Sequence, residues 1–156
     1  VCITYRESEY GEMRDGLNTG LPSDRFQVDW WINSRRVEKR LSKRPRPTLK
    51  LDHIARSGLR PFYTPQLSTS GLIRPPEHVP TFDDRLLLVE IPTNFMDMKS
   101  KDFSLARDWR FFSRELFETA FAKNYIVTDF IFDNNAGSPR GLYILTHGDS
   151  TLEDFE

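Results

Sequence analysis

At 156 residues and 18.3 kDa, with 38% hydrophobic and 29% charged residues, the chain has the composition of a folded domain, not of a disordered or fibrous polymer. Its 22 basic and 23 acidic residues leave a net charge of -1, so the total points to neither nucleic acid nor a membrane surface. The single cysteine, Cys2, excludes an internal disulfide framework, and no apolar run approaches the roughly 18 residues of a membrane span.

In chain order, Val1-Cys2-Ile3-Thr4-Tyr5 reads as a strand already under way, as expected of a processed chain or a piece of a longer one. Arg6, Glu7 and Glu9 follow where a signal peptide would be apolar, and a reducing cytoplasm is the expected setting. Residues 11–24 are rich in Gly, Asn, Asp and Pro, which is loop chemistry. Residues 25–32 alternate. Phe26, Val28, Trp30 and Ile32 share one face and Arg25, Gln27 and Asp29 the other, predicting a half-buried strand.

Residues 35–50 hold eight cations against one acid, Glu38, with Val37 and Leu41 spaced for a helical turn or two. Pro45 and Pro47 stop any helix. Residues 48–54 are read as a further strand. Residues 57–82 contain Pro61, Pro65, Pro75, Pro76 and Pro80, and are expected to be irregular and laid over the surface.

The last third is the most legible. Arg85 to Pro92 has the continuous apolar centre of a strand covered on both faces. A helix is predicted from about Asp102 to Asn124, with Leu105, Trp109, Phe112, Leu116 and Ala120 on one stripe and Arg107, Asp108, Glu115 and Glu118 opposite. Arg114 and Glu118 form an i,i+4 pair of opposite sign. Strands are expected at 125–132 and 141–146 about a turn cluster at 133–139, and the acidic tail 149–156 is expected to fray. The fold class is α+β, with a mixed, largely antiparallel sheet and a C-terminal β-α-β-β unit. The expected divisions are 1–56, a Pro-rich linker 57–82, the unit 83–148, and the tail 149–156.

Several chemistries have no support. His53, His78 and His147 are widely spaced and make no metal set with one Cys. There is no GxSxG elbow and no phosphate loop ending in GK[ST]. Asp83-Asp84 is read as a solvated pair, and no metal is expected.

Three features remain. Setting the basic run aside leaves 14 of the 22 basic and 22 of the 23 acidic residues, a net of -8. The run therefore reads as a connector helix pairing with an acidic remainder. Nucleic acid is not favoured, since no aromatic is interleaved with the cations, while coenzyme phosphates or an acidic partner stay open. The loop from Tyr10 to Arg25 offers polar groups for a ligand, or ordinary turn chemistry. Tyr10 is either a general acid near its strand end or a buried, hydrogen-bonded tyrosine. Arg110 and Arg114, one turn apart beside the apolar stripe, either clamp an anion or lie along the core edge and pair with acids.

The stretch YGEMRDGLNTGLPSDRFQVDWW resembles a motif in a family of predicted acyltransferases of the GNAT superfamily. That family's LLLVEIP, F-x-x-M-K-x-x-D, A-x-x-W-R-x-x-x-R-x-x-F-x-x-A-F and Y-x-V-T-D-F segments are matched at Leu86–Pro92, Phe95–Asp102, Ala106–Phe121 and Tyr125–Phe130. The resemblance implies acyl transfer from acetyl-CoA to a small-molecule amine acceptor, achieved mostly by positioning. It implies that Val1–Tyr10 and Arg25–Ile32 are the sixth and seventh strands of the acetyltransferase fold. It places the expected site in the loop joining those strands, with Tyr10, Asp15, Asn18, Asp24 and Arg25 as the polar groups orienting the acceptor and Trp30 as a wall. Tyr10 is the catalytic candidate on its own chemistry, since the family's acid tyrosine usually lies upstream of this motif. The superfamily's cofactor loop, [RQ]-x-x-[GA]-x-[GA], does not occur in the 156 residues, so the chain is expected to be a C-terminal half, inactive alone. The competing class is a non-catalytic interaction module docking through the Trp109 helix face and an open sheet edge. A third is nucleic-acid binding through residues 35–50.

Overall fold

The computed structural model describes residues 1–16, 18–42, 49–134 and 139–147. The central element is a five-stranded antiparallel sheet. Its strands are β1 (Cys2–Arg6), β2 (Arg25–Val28), β5 (Leu86–Ile91), β6 (Tyr125–Asp133) and β7 (Arg140–His147), in the order β2-β1-β6-β7-β5. A two-residue pairing of β3 (Gln66–Leu67) with β4 (Ile73–Arg74) stands apart. The helices are α1 (Arg35–Leu41), α2 (Leu51–Arg56), α3 (Phe95–Lys101) and α4 (Phe103–Ala122). The chain is therefore α+β with a largely antiparallel sheet. No helix among the described residues is long and apolar enough to cross a membrane.

Helix α4 forms as its periodicity requires. The Asp102 carboxylate accepts the Leu105 N–H at 2.9 Å, satisfying one of the free donors of the first turn. At the other end Asn124 takes φ 62, the left-handed conformation that ends helices. Leu105, Trp109, Phe112, Leu116 and Ala120 are all buried, with Ala106 and Phe117 beside them. This stripe packs on the sheet face that carries Leu87, Val89, Val127 and Leu145. The Arg114–Glu118 pairing does not form. The Arg114 guanidinium goes instead to Glu7 and Asp24.

The opposite sheet face carries Leu86, Leu88, Ile131, Leu142 and Ile144, covered by Ile54 with Leu49, Leu51 and Leu59. Both faces of β5 are thus buried, as the apolar run Leu86–Val89 predicts. The covering element corrects the strand expected at 48–54. Leu51 to Ile54 lie instead in helix α2, where Leu51 and Ile54 are three apart on one side and Asp52 sits favourably in the first turn.

Two further differences follow from packing. The Pro-rich stretch does not simply lie over the surface. Tyr63 is buried in the core and donates its hydroxyl to the Glu90 carbonyl, and the Phe62 N–H donates to the Leu88 carbonyl at 2.8 Å. The second strand is shorter than its alternation suggests. Register pairs Cys2 with Val28, and the Asp29 N–H reaches the Val1 carbonyl, so residues 30–32 meet no described strand and Trp30 is 84% exposed. The expected turn at 133–139 and the acidic tail fall largely or wholly outside the described residues, as does the 43–48 part of the basic run.

Strands β1 and β6 share one register pair, Cys2–Val127. Aromatic packing does the rest of the docking. Phe26 meets Phe117 edge-on at 4.7 Å and Tyr143 at 5.4 Å, and Tyr5 stacks on Phe117 at 6.4 Å. Each such pair adds about 0.5–1.5 kcal/mol beyond area burial.

Candidate functional site

Where the β1–β2 hairpin meets α4, a cavity of about 290 Å³ opens. Its walls are largely aromatic: Phe26, Phe95, Trp109, Phe117 and Tyr143, with Ile91 and Pro92. Its polar groups are Tyr5, Asp24, Arg25, Arg110 and Ser113. Trp109 is held by an Nε1–H bond of 2.8 Å to the Ile73 carbonyl, so the α4 face expected to dock a partner is instead committed to the core.

Asp24 organises the polar side. Its carboxylate accepts from Arg114 Nε at 3.0 Å and Nη2 at 2.8 Å, from the Tyr5 hydroxyl at 2.9 Å and from the Ser8 N–H at 3.0 Å. Burial alone would raise its pKa, but the Arg114 fork, the Ser8 amide and the Tyr5 hydroxyl together hold it below the ordinary carboxylate range. Four donors fill the carboxylate's acceptor sites, so Asp24 is a framework anion and not a free base. Burial, followed by the bond to Asp24, pushes the Tyr5 phenol well above its usual value. Tyr5 is thereby kept neutral as a donor.

The arginines one turn apart have separate jobs. Arg114 spends its fork on Asp24 and its Nη1 on Glu7 at 2.8 Å. Arg110 lies with its guanidinium carbon 5.3 Å from the Phe95 ring centroid, and its Nε is buried without a hydrogen-bond partner among the described residues. A cation–π contact does not replace a lost N–H bond, and an unsatisfied buried donor costs about 1–3 kcal/mol. Arg110 is thus the unsatisfied group on a cavity wall.

The residues singled out in the sequence divide. Asp15, Asn18, Asp24 and Arg25 come together. Asn18 is buried, its N–H and Nδ2 donate to the Asp15 carboxylate at 2.8 and 3.1 Å, and its Oδ1 accepts from Arg25 Nη2 at 3.3 Å. Arg25 Nη1 donates to the Asp24 carbonyl at 2.7 Å, which fixes it at the cavity rim. Tyr10 lies outside the cavity lining, 65% exposed, with Arg25 above its ring at 5.7 Å. Its N–H donates to Ser23 Oγ, itself fully buried. Trp30 lies apart, in a shallow groove with Trp31 and Ile32. Tyr5, Phe95 and Tyr143 join the cavity wall although nothing in the sequence marks them as a set. Phe95 alone carried a sequence signal, the F-x-x-M-K segment.

Elsewhere, Asp83 accepts from Thr81 Oγ1 at 2.9 Å, and the Asp84 carbonyl takes the Tyr125 hydroxyl at 2.6 Å. Among the described residues no group of three or more His, Cys, Asp or Glu is placed to hold a metal ion. No protein-family model matches the chain, and neither curated proteins nor solved structures give a match.

Proposed function

We propose that this chain is the C-terminal portion of a GNAT-like N-acyltransferase and that the aromatic cavity is its acceptor side, where a small-molecule amine receives an acetyl group from acetyl-CoA. One observation carries the reading. Three stretches distant in sequence, 24–26, 91–95 and 109–117, each within the resemblance, converge on one cavity. They supply Asp24, Arg25 and Phe26; Ile91, Pro92 and Phe95; and Trp109, Arg110 and Phe117.

The chain's own residues do not fit the coenzyme. A cavity of about 290 Å³ lies at the bottom of the ~300–1,000 Å³ range of small-molecule sites, too small for a nucleotide-bearing thioester. The Gly-rich pyrophosphate loop is likewise absent from the 156 residues. No chemical step through the coenzyme is therefore assigned to them. Their part is positioning: the Asp24–Arg114 fork locks the hairpin to α4, and the aromatic walls hold the acceptor out of water. Isothermal titration tests this. Acetyl-CoA should bind a version extended upstream and not this chain, and absence of binding by both rejects the reading.

A non-catalytic interaction module is the second reading, favoured by the exposure of Val28, Trp30, Trp31 and Ile32 at and beyond the end of edge strand β2. If two copies of the chain pair along this edge, light scattering will show a dimer that Trp30→Ser and Trp31→Ser disperse. A monomer at all concentrations removes that form of the reading.

A further inference from the structure

The geometry points to an organic carboxylate as the occupant of the cavity, a molecule with one aromatic ring or branched apolar body whose carboxylate is held by Arg110. This deepens the acceptor assignment and rests on it for the place of binding, though not on acyl transfer itself.

The charge balance selects the sign. Asp24, the carboxylate on the cavity wall, is saturated by Arg114, Tyr5 and Ser8. Arg25 and Arg110 then leave the lining cationic. Arg25 is engaged by the Asp24 carbonyl, Asn18 and the Tyr10 face. Arg110 keeps a buried Nε with no partner among the described residues, while Phe95 beneath it holds the guanidinium plane in place. A carboxylate supplies two acceptors in the fork geometry such a group requires. Ser113 does not compete for the anion as a donor, since its hydroxyl donates to the Arg110 carbonyl at 3.1 Å.

Size and surface select the body. An apolar cavity of about 150 Å³ takes one benzene ring. A cavity of about 290 Å³ therefore takes a single ring with a short charged tail, not a fused polycycle with substituents. Rings on several walls favour edge-to-face packing of an aromatic body, and a bare inorganic anion would leave them wet.

Isothermal titration of the whole chain with 3-phenylpropionate tests the inference. The carboxylate should bind, and its neutral amide, 3-phenylpropionamide, should bind about tenfold more weakly or worse, the usual scale of a charged hydrogen bond. Arg110→Gln should lower carboxylate affinity to the level of the amide. Arg110→Lys, which keeps charge and stem, should retain part of it, and Arg107→Gln on the exposed side of α4 should change nothing. Near-UV circular dichroism confirms that each variant is folded. Equal binding of acid and amide, unchanged affinity in folded Arg110→Gln, or no binding to the folded wild type overturns the inference. In the upstream-extended protein the two claims separate. Acetyl transfer to amines lacking a carboxylate, without 3-phenylpropionate binding, sinks this inference alone. Carboxylate binding without acetyl transfer sinks the acyltransferase reading alone.

Discussion

Arg114 and Asp24, 90 residues apart, form a two-bond fork of 3.0 and 2.8 Å that fastens the start of strand β2 to the middle of helix α4. The Asp24 side chain is 1% exposed and that of Arg114 18%, so the pair is largely withdrawn from water. Breaking such a pair from one side strands a buried charge, at a cost of about 3–5 kcal/mol. Arg114→Ala should therefore lower the unfolding free energy by about that amount in urea denaturation. The double variant Asp24→Asn, Arg114→Met should cost clearly less than the sum of the single changes. Additive losses would show that the fork couples nothing.

The same cluster sets two pH limits. The folded Asp24 carboxyl titrates below its ordinary range, so the unfolded chain takes up the proton first. Its stabilisation is present above the ordinary carboxylate pKa and is lost as pH falls through the folded value. Asp24→Asn should flatten the acid side of a plot of melting temperature against pH. A slope unchanged between wild type and variant would refute the assignment.

Tyr5 behaves oppositely. Its phenol is raised above the usual 10.0, first by burial and then by Asp24. The neutral form is favoured by folding, so its contribution is full below about pH 10 and is lost as pH rises toward the folded value. Tyr5→Phe should cost about 1 kcal/mol at neutral pH and weaken the alkaline loss of stability. Spectrophotometric titration should show one fewer late-ionising tyrosine in the variant.

Gly20 has φ +78, and a Cβ there would stand 3.0 Å from Phe103 Cζ at the start of α4. Gly58 has φ +81 with nothing within 4 Å. Gly58→Ala carries only the backbone penalty of about 1 kcal/mol, whereas Gly20→Ala adds displacement of the Phe103 ring. The Gly20 variant should melt lower than the Gly58 variant. Equal melting points would mean that the loop does not press on the helix.

What the sequence disclosed was what local periodicity encodes. The stripe from Leu105 to Ala120 and the run from Leu86 to Val89 are buried as their spacing predicts. At 48–54 a strand is expected, but Leu51 and Ile54 form a helical side that covers the sheet. Trp30 and Ile32 keep a strand's rhythm past the point where the partner strand ends, and tertiary register overrides the pattern. The division of labour between Arg110 and Arg114 was invisible, since it depends on an acid 90 residues away. The loop from Tyr10 to Arg25 was marked by its composition, yet Tyr5, Phe95 and Tyr143 become walls only when α4 crosses the hairpin.

The claim that the cavity between α4 and the sheet is the ligand site is tested most directly by intermolecular nuclear Overhauser effects to bound 3-phenylpropionate. The account predicts contacts from the ligand ring to Phe26, Phe95, Phe117 and Tyr143, lost in Arg110→Gln at equal ligand concentration. Contacts to Trp30, Trp31 and Ile32 instead, or contacts that survive in the variant, would contradict it.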